Sequence, residues 1–129
     1  MAETRDPAPD RISEAEHAVM EALWARQPLS AAEVCKAVCE ARGWSMATVK
    51  TLLARLVGKG AVTTEAEGRR FLYSPLLERD AYLGGESRRL VERLFNGRPA
   101  ALFAQLAGAE ALNDDDIAEI ERLLKELRA

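Results

Sequence analysis

The chain has 129 residues, of which 48% are hydrophobic and only 5% aromatic, with a formal net charge of −3. That apolar content supports a packed core and excludes global disorder, and its Leu, Ala and Val bias favours helices over a β-sandwich. The apolar runs fall short of the roughly 18–20 residues of a membrane span, and residues 1–10 lack the basic and apolar regions of a secretory signal, so a cytoplasmic location without membrane insertion is expected.

Pro7 and Pro9 among charges make residues 1–11 a disordered tail by composition. Ser13 and Glu16 then form an S-x-x-E capping box that opens a first helix with Ile12, Ala15, Val19 and Leu23 on its inner face, joined by Met20 and Trp24. Pro28 should stop it near Gln27. Ser30 and Glu33 repeat the box, and Val34, Ala37, Val38 and Ala41 give a second, short apolar face ended by Arg42-Gly43. Ser45 caps a third helix whose Val49, Leu52, Leu53 and Leu56 repeat at 3, 4, 7, up to Gly58-Lys59-Gly60.

The period then changes from 3.6 to 2. Val62 and Thr64, then Phe71 and Tyr73, alternate with polar neighbours around the polar turn Glu65–Arg69, which predicts a β-hairpin closed by Ser74-Pro75. From Leu76 the chain reads as helix again, with Leu83, Leu90, Val91, Leu94 and Phe95 on one stripe as far as Asn96-Gly97. Pro99 suits the first turn of a short helix to about Leu106. Asn113 caps the last helix, with Leu112 and Ile117 as a hydrophobic staple and Asp114 to Asp116 at its positive end. Ile117, Ile120, Leu124 and Leu127 form a heptad-like seam.

Three helices followed by a hairpin is the order of a winged helix-turn-helix, whose third helix enters the major groove. The predicted fold is therefore mainly α: a winged helix-turn-helix over 12–77 and a helical dimerisation region over 78–129. The charge is distributed to match. Residues 1–43 carry five Lys/Arg against eight Asp/Glu, residues 44–79 six against three, and residues 80–129 seven against ten. Local patches, not net charge, meet a phosphate backbone. On the third helix Ala47, Lys50, Thr51 and Ala54 point outward, flanked by Thr48 and Arg55. These are small, hydroxylated or basic, as groove entry requires. Arg69 and Arg70 lie in the hairpin, where a wing would reach DNA. A winged-helix module that binds protein instead has the same order of elements and remains open at this point.

The remaining chemistry-bearing residues have plain structural readings. His17 has no second base or nucleophile placed near it and reads as a packed, partly exposed side chain. Cys35 and Cys39 fill half of a tetrahedral metal site. A disulfide between neighbouring helix turns is geometrically poor, so both are expected as reduced thiols packing the second helix, without a metal or redox role. Asp114–Asp116 is explained by capping. There is no phosphate loop, metal-ligand spacing or nucleophile–base pair, so no enzyme, cofactor or metal is expected.

The residues resemble the BlaI/MecI/CopY repressors, regulators of penicillinase and copper-export genes. The resemblance lies in I-S-E-A-E-H-A-V-M-E-A-L-W (Ile12 to Trp24), W-S-M-A-T-V-K-T-L-L-A-R-L-V-G-K-G (Trp44 to Gly60), R-R-F-L-Y-S-P-L (Arg69 to Leu76) and E-S-R-R-L-V-E-R-L-F-N-G (Glu86 to Gly97). It implies a homodimer on double-stranded operator DNA with inverted TACA/TGTA-like half-sites. The groove-facing residues it implies are Ser45, Ala47, Thr48, Lys50, Thr51 and Arg55, with Arg69 and Arg70 as wing contacts. The implied dimer interface is Leu83, Leu90, Leu94, Phe95, Ile117, Ile120, Leu124 and Leu127. The penicillinase branch is released by a cut in the C-terminal segment after a membrane receptor senses β-lactam, which makes a protease of that pathway an expected partner. The corresponding step here is Gln105-Leu106. The copper branch carries a C-terminal Cys-x-Cys cluster, which this chain lacks. Ala47 replaces a polar residue and His17 a tryptophan. Gly84-Gly85 interrupts the fourth helix and, at about 1 kcal/mol per glycine, should loosen it.

Overall fold

The computed structural model describes residues 11–129; the tail expected over residues 1–11 lies, except for Arg11, outside the described residues. The elements follow in the order α1 (Glu14–Ala25), β1 (Leu29–Ser30), α2 (Ala31–Arg42), α3 (Met46–Gly58), β2 (Val62–Glu67), β3 (Arg70–Pro75), α4 (Arg79–Phe95), α5 (Pro99–Gly108) and α6 (Asp114–Arg128). The chain divides into two units, one ending at Tyr82 and the other running Leu83–Ala129.

The first unit is built on its caps. The Ser13 hydroxyl accepts from the Glu16 N–H and the Ser13 N–H donates to the Glu16 carboxylate; Ser30 and Glu33 do the same at α2. Each box satisfies N–H groups that a helix start leaves without partners. Val19, Met20 and Leu23 of α1, Leu29, Val34 of α2, Val49, Leu52, Leu53 and Leu56 of α3, and Ala61 and Val62 form one core. Each fully buried Leu or Val there contributes about 1.5–3 kcal/mol. The stripes expected on α1 and α3 are largely buried, whereas on α2 Val34 is buried and Val38 half-buried but Ala37 and Ala41 are exposed.

The sheet is antiparallel with order β1-β3-β2. β1 was not visible in the sequence. Its two residues pair with the wing, Leu29 with Tyr73 and Ser30 with Leu72, and so tie the start of α2 to the hairpin. The hairpin turn is tighter than the expected polar loop. Strand pairing continues to Glu67–Arg70, leaving Gly68-Arg69 as a two-residue turn, with Gly68 at φ 63°. A glycine takes that left-handed conformation without steric cost.

Two helix boundaries differ from expectation. α1 ends at Ala25, before Pro28. α4 starts at Arg79, not Leu76, because the N–H groups of Leu76 and Leu77 both donate to the Ala61 carbonyl and hold the chain extended. Trp24 Nε1 adds a 2.8 Å bond to the Leu77 carbonyl. His17, Trp24 and Tyr82 pack edge-on or tilted in an aromatic cluster, with His17 Nε2 3.0 Å from the Glu21 carboxylate.

The cysteines overturn their expectation. Cys35 and Cys39 form a disulfide, with Cα atoms 4.9 Å apart. Residues four apart stack on one helix face, and this separation is inside the span of about 4.4–6.8 Å that a bridge requires.

In the second unit α4 is continuous through Gly84 and Gly85. α5 begins on Pro99 without a side-chain cap, and α6 on an Asn113–Asp116 capping box. No described residue of α4, α5 or α6 is buried. Leu94, Ile117, Leu124 and Leu127 are 54%, 43%, 51% and 83% exposed.

Candidate nucleic-acid interface

The turn between α2 and α3 is fixed by Gly43, at φ 68°, and by backbone bonds from Gly43 and Trp44 to the Cys39 carbonyl. Arg42 lays its guanidinium 5.2 Å from the centre of the Trp44 ring, a contact that carries a positive charge to the turn. Ser45 caps the start of α3, its hydroxyl accepting from the Thr48 N–H at 3.3 Å. Because Val49, Leu52, Leu53 and Leu56 are buried, the other face of α3 is presented outward. Ser45, Ala47, Lys50, Thr51 and Arg55 are exposed and Thr48 is half-buried.

Arg69 stands at the tip of the wing and Arg70 at the start of β3, both exposed. A shallow depression of about 410 Å³ brings these elements together: Lys50 and Met46 of α3, Arg69, Arg70 and Phe71 of the wing, and Ser30 at the start of α2 line it. Lys50 and the two wing arginines, far apart in sequence, therefore face one surface. Arg70 is partly engaged: its Nη2 lies 2.7 Å from the Glu67 carboxylate, which raises the guanidinium pKa further. The Ser30 backbone N–H holds the Glu33 carboxyl below its ordinary pKa, and the charges of Arg70 and Arg26 add to this. Arg26 thus belongs to the same electropositive surroundings, whereas Arg42 lies against Trp44 at the turn before α3. Sequence reading missed Arg26 because it lies on neither α3 nor the wing. β1, which delivers α2 to that edge, was the signal needed.

Lys59 has a different role from the other cations. Its ammonium lies 2.6 Å from the Glu16 carboxylate and 2.7 Å from the Arg11 carbonyl. Glu16 is almost fully buried. Burial opposes its charge, but Lys59 and the Ser13 N–H outweigh that and hold the carboxyl below its ordinary pKa. This pair joins the end of α3 to α1 and leaves Lys59 as a structural group.

The other residues singled out from sequence lie in the second unit or at its start. Leu83, Leu90 and Phe95 are half-buried on α4 and Leu94 is exposed. On α6, Ile120 is half-buried and Ile117, Leu124 and Leu127 are exposed. Gln105 and Leu106 are exposed within α5, with their carbonyls accepting from the N–H groups of Ala109 and Ala111. Among the described residues no group of three or more His, Cys, Asp or Glu could hold a metal ion, and no helix is long and apolar enough to cross a membrane.

A helix-turn-helix with an acid-free outer face, followed by a two-stranded wing bearing paired arginines, defines a winged-helix DNA-binding protein. The sequence model of the penicillinase repressor family matches residues 12–126. The penicillinase repressor of Bacillus licheniformis is 31% identical over 116 residues, covering 90% of this chain and 91% of that one. The solution structure of the DNA-binding domain of the repressor BlaI superposes with a TM-score of 0.52 at 37% identity, over 57% of this chain and 89% of that one. The solution structure of monomeric B. licheniformis BlaI in complex with the blaP half-operator gives a TM-score of 0.50 at 38% identity, over 56% of this chain and 88% of that one. The chain belongs to the penicillinase repressor family, a family of transcriptional repressors and not of enzymes.

Proposed function

We propose that the protein is a homodimeric transcriptional repressor that binds an inverted-repeat operator in the cytoplasm. The observation that carries this reading is the convergence of Lys50, Arg69 and Arg70 on one depression beside the acid-free face of α3. Ser45, Ala47, Thr48, Thr51 and Arg55 then meet base edges and the adjoining backbone, while the wing arginines hold phosphates or the minor groove. The relative solved with the blaP half-operator supports DNA as the ligand.

The exposed stripes of the second unit support dimerisation. Leu83, Leu90, Leu94 and Phe95 of α4 and Ile117, Ile120, Leu124 and Leu127 of α6 stay partly or largely exposed in the single chain. An apolar stripe repeated at heptad spacing is buried most simply against a second copy. The two recognition helices would then meet half-sites about 34 Å apart. A mobility shift on the duplex upstream of the protein's own coding sequence tests the reading. If about six cations per dimer touch phosphate, log K falls against log salt with a slope near −5. A flat salt response would overturn it.

Induction by receptor-triggered proteolysis at Gln105-Leu106 would require α5 to open locally. A protease needs an extended strand, and this step lies inside a helix. α5 is short, has no side-chain N-cap and no charge placed to complement its ends, so it opens locally at low cost. A cut there severs α6 and its seam, and each winged helix loses the gain of linked binding. Mass spectrometry of the protein from β-lactam-treated cells checks this. Intact chain in cells whose target genes are induced would remove cleavage at this bond as the mechanism.

A further inference from the structure

We propose that Cys35 and Cys39 are an oxidant-responsive dithiol–disulfide pair, one helical turn apart on α2, that controls how the recognition helix is presented to DNA. The inference rests on the operator-binding reading above. Three observations support it. The two residues are close enough to bridge and are bridged, with Cα atoms 4.9 Å apart. Both are only partly buried at the edge of the core, so a small oxidant can reach them. Cys39 is also the residue on which the helix-turn-helix turn is built. Its carbonyl accepts the Gly43 and Trp44 N–H groups, and its Sγ lies 3.8 Å from the carbonyl oxygen of Ser45, the N-cap of α3.

The redox states differ at that last contact. A thiol at Cys39 carries a hydrogen and can donate it to the Ser45 carbonyl; a disulfide sulfur has none to donate. The backbone differs too. A rise of about 1.5 Å per residue sets Cα atoms four apart at about 6 Å along a regular α-helix. The bridged pair is closer than this, so the last turns of α2 are drawn in. Reduction therefore adds a bond across the turn and returns α2 to regular spacing. A better-fixed α3 N-terminus, carrying Ser45, Ala47 and Thr48, binds more tightly because less ordering remains to be done on DNA.

The oxidant is a hydrogen peroxide-class species. One thiolate attacks the peroxide oxygen, giving a sulfenic acid and, with a proton, water. The second thiol displaces the hydroxyl as a second water and closes the S–S bond. Two thiols lose two electrons and two protons, and the peroxide is reduced to two waters. Thiol exchange with a reductant reverses the step.

The test uses the full chain, reduced with dithiothreitol or oxidised with stoichiometric hydrogen peroxide. Intact mass is read beside a mobility shift on the duplex upstream of its own coding sequence. Peroxide is expected to remove two hydrogens per chain and weaken binding at least about fivefold, with dithiothreitol restoring it. Cys35→Ser, which leaves Cys39 and its contact in place, should bind as the reduced protein does and not respond to a subsequent reductant. Loss of two hydrogens with unchanged binding overturns the control of DNA binding. Failure to form the bridge within one chain overturns the site itself. Absence of binding in both states instead overturns the operator reading, and this control with it.

Discussion

At the residue scale, Arg70 and Glu67 separate two effects that a simple count of cations would merge. Arg70 lines the depression beside α3 but is held by Glu67 at 2.7 Å. Arg70→Ala should flatten the salt dependence by about 2 for a dimer, since each phosphate contact accounts for a slope near 0.9. Glu67→Gln should tighten binding, because the guanidinium no longer exchanges one anion for another. Titrations at several salt concentrations check both, and weaker binding by Glu67→Gln would contradict the assigned wing contact. Thr51→Ala should relax base preference with little change in salt slope, measured on operators carrying single substitutions.

Glu16 supplies a pH dependence at the same scale. Its folded pKa lies below the ordinary value of 4.5, so its contribution is fully present above that value. The contribution is lost as pH falls through the lowered folded pKa, where the carboxylate takes a proton and releases Lys59. Glu16→Gln should cost about 1.5–3 kcal/mol at neutral pH and remove part of the stability change in acid. Thermal melts of the two proteins between neutral and acid pH check this; parallel curves would contradict it.

At the scale of elements, caps and glycines give separable expectations. Ser30→Ala removes the side chain that opens α2 and should cost about 1 kcal/mol. Gly84→Ala should do the opposite. Gly84 is helical, and an added Cβ would meet nothing within 4 Å. The substitution should stabilise α4 by about 1 kcal/mol, or roughly 3–5 °C in Tm. Calorimetry of the single variants checks both signs.

Much of this level was legible in the sequence, because capping boxes, helical stripes and the change of period are local signals. Ser13, Ser30, Ser45 and Asn113 each cap the helix their spacing announced. What could not be read depended on distant partners. β1 exists because Leu29 and Ser30 find β3 more than forty residues later, and Leu76 and Leu77 stay extended because Ala61 accepts from both. The exposed residues of α3 could be listed from its own spacing, but Arg26, whose charge acts on Glu33, needed the folded chain. The cysteine bridge was misjudged because the expectation assumed an undisturbed helix.

At the scale of the whole molecule, the contrast between the units decides what should be measured. The first unit has a buried core; among the described residues the second has none. Its stability should therefore depend on concentration through a partner copy. Sedimentation at micromolar concentration should give a dimer. Leu124→Arg with Leu127→Arg should give a monomer whose first unit stays folded and whose operator affinity falls by two or more orders of magnitude, the usual range for losing linked sites. A monomeric natural protein would refute this.

The two tryptophans make these states visible without a label. Trp24 is tied to the Leu77 carbonyl within the aromatic cluster, and Trp44 sits at the turn before α3, half-buried against Arg42. Trp24 should report the melting of α1 against its neighbours, and Trp44 the seating of the recognition helix on a duplex. With Trp24→Phe as the background, one cuvette titration would follow DNA engagement through the protein's own fluorescence. The same cuvette would then show whether peroxide alters it.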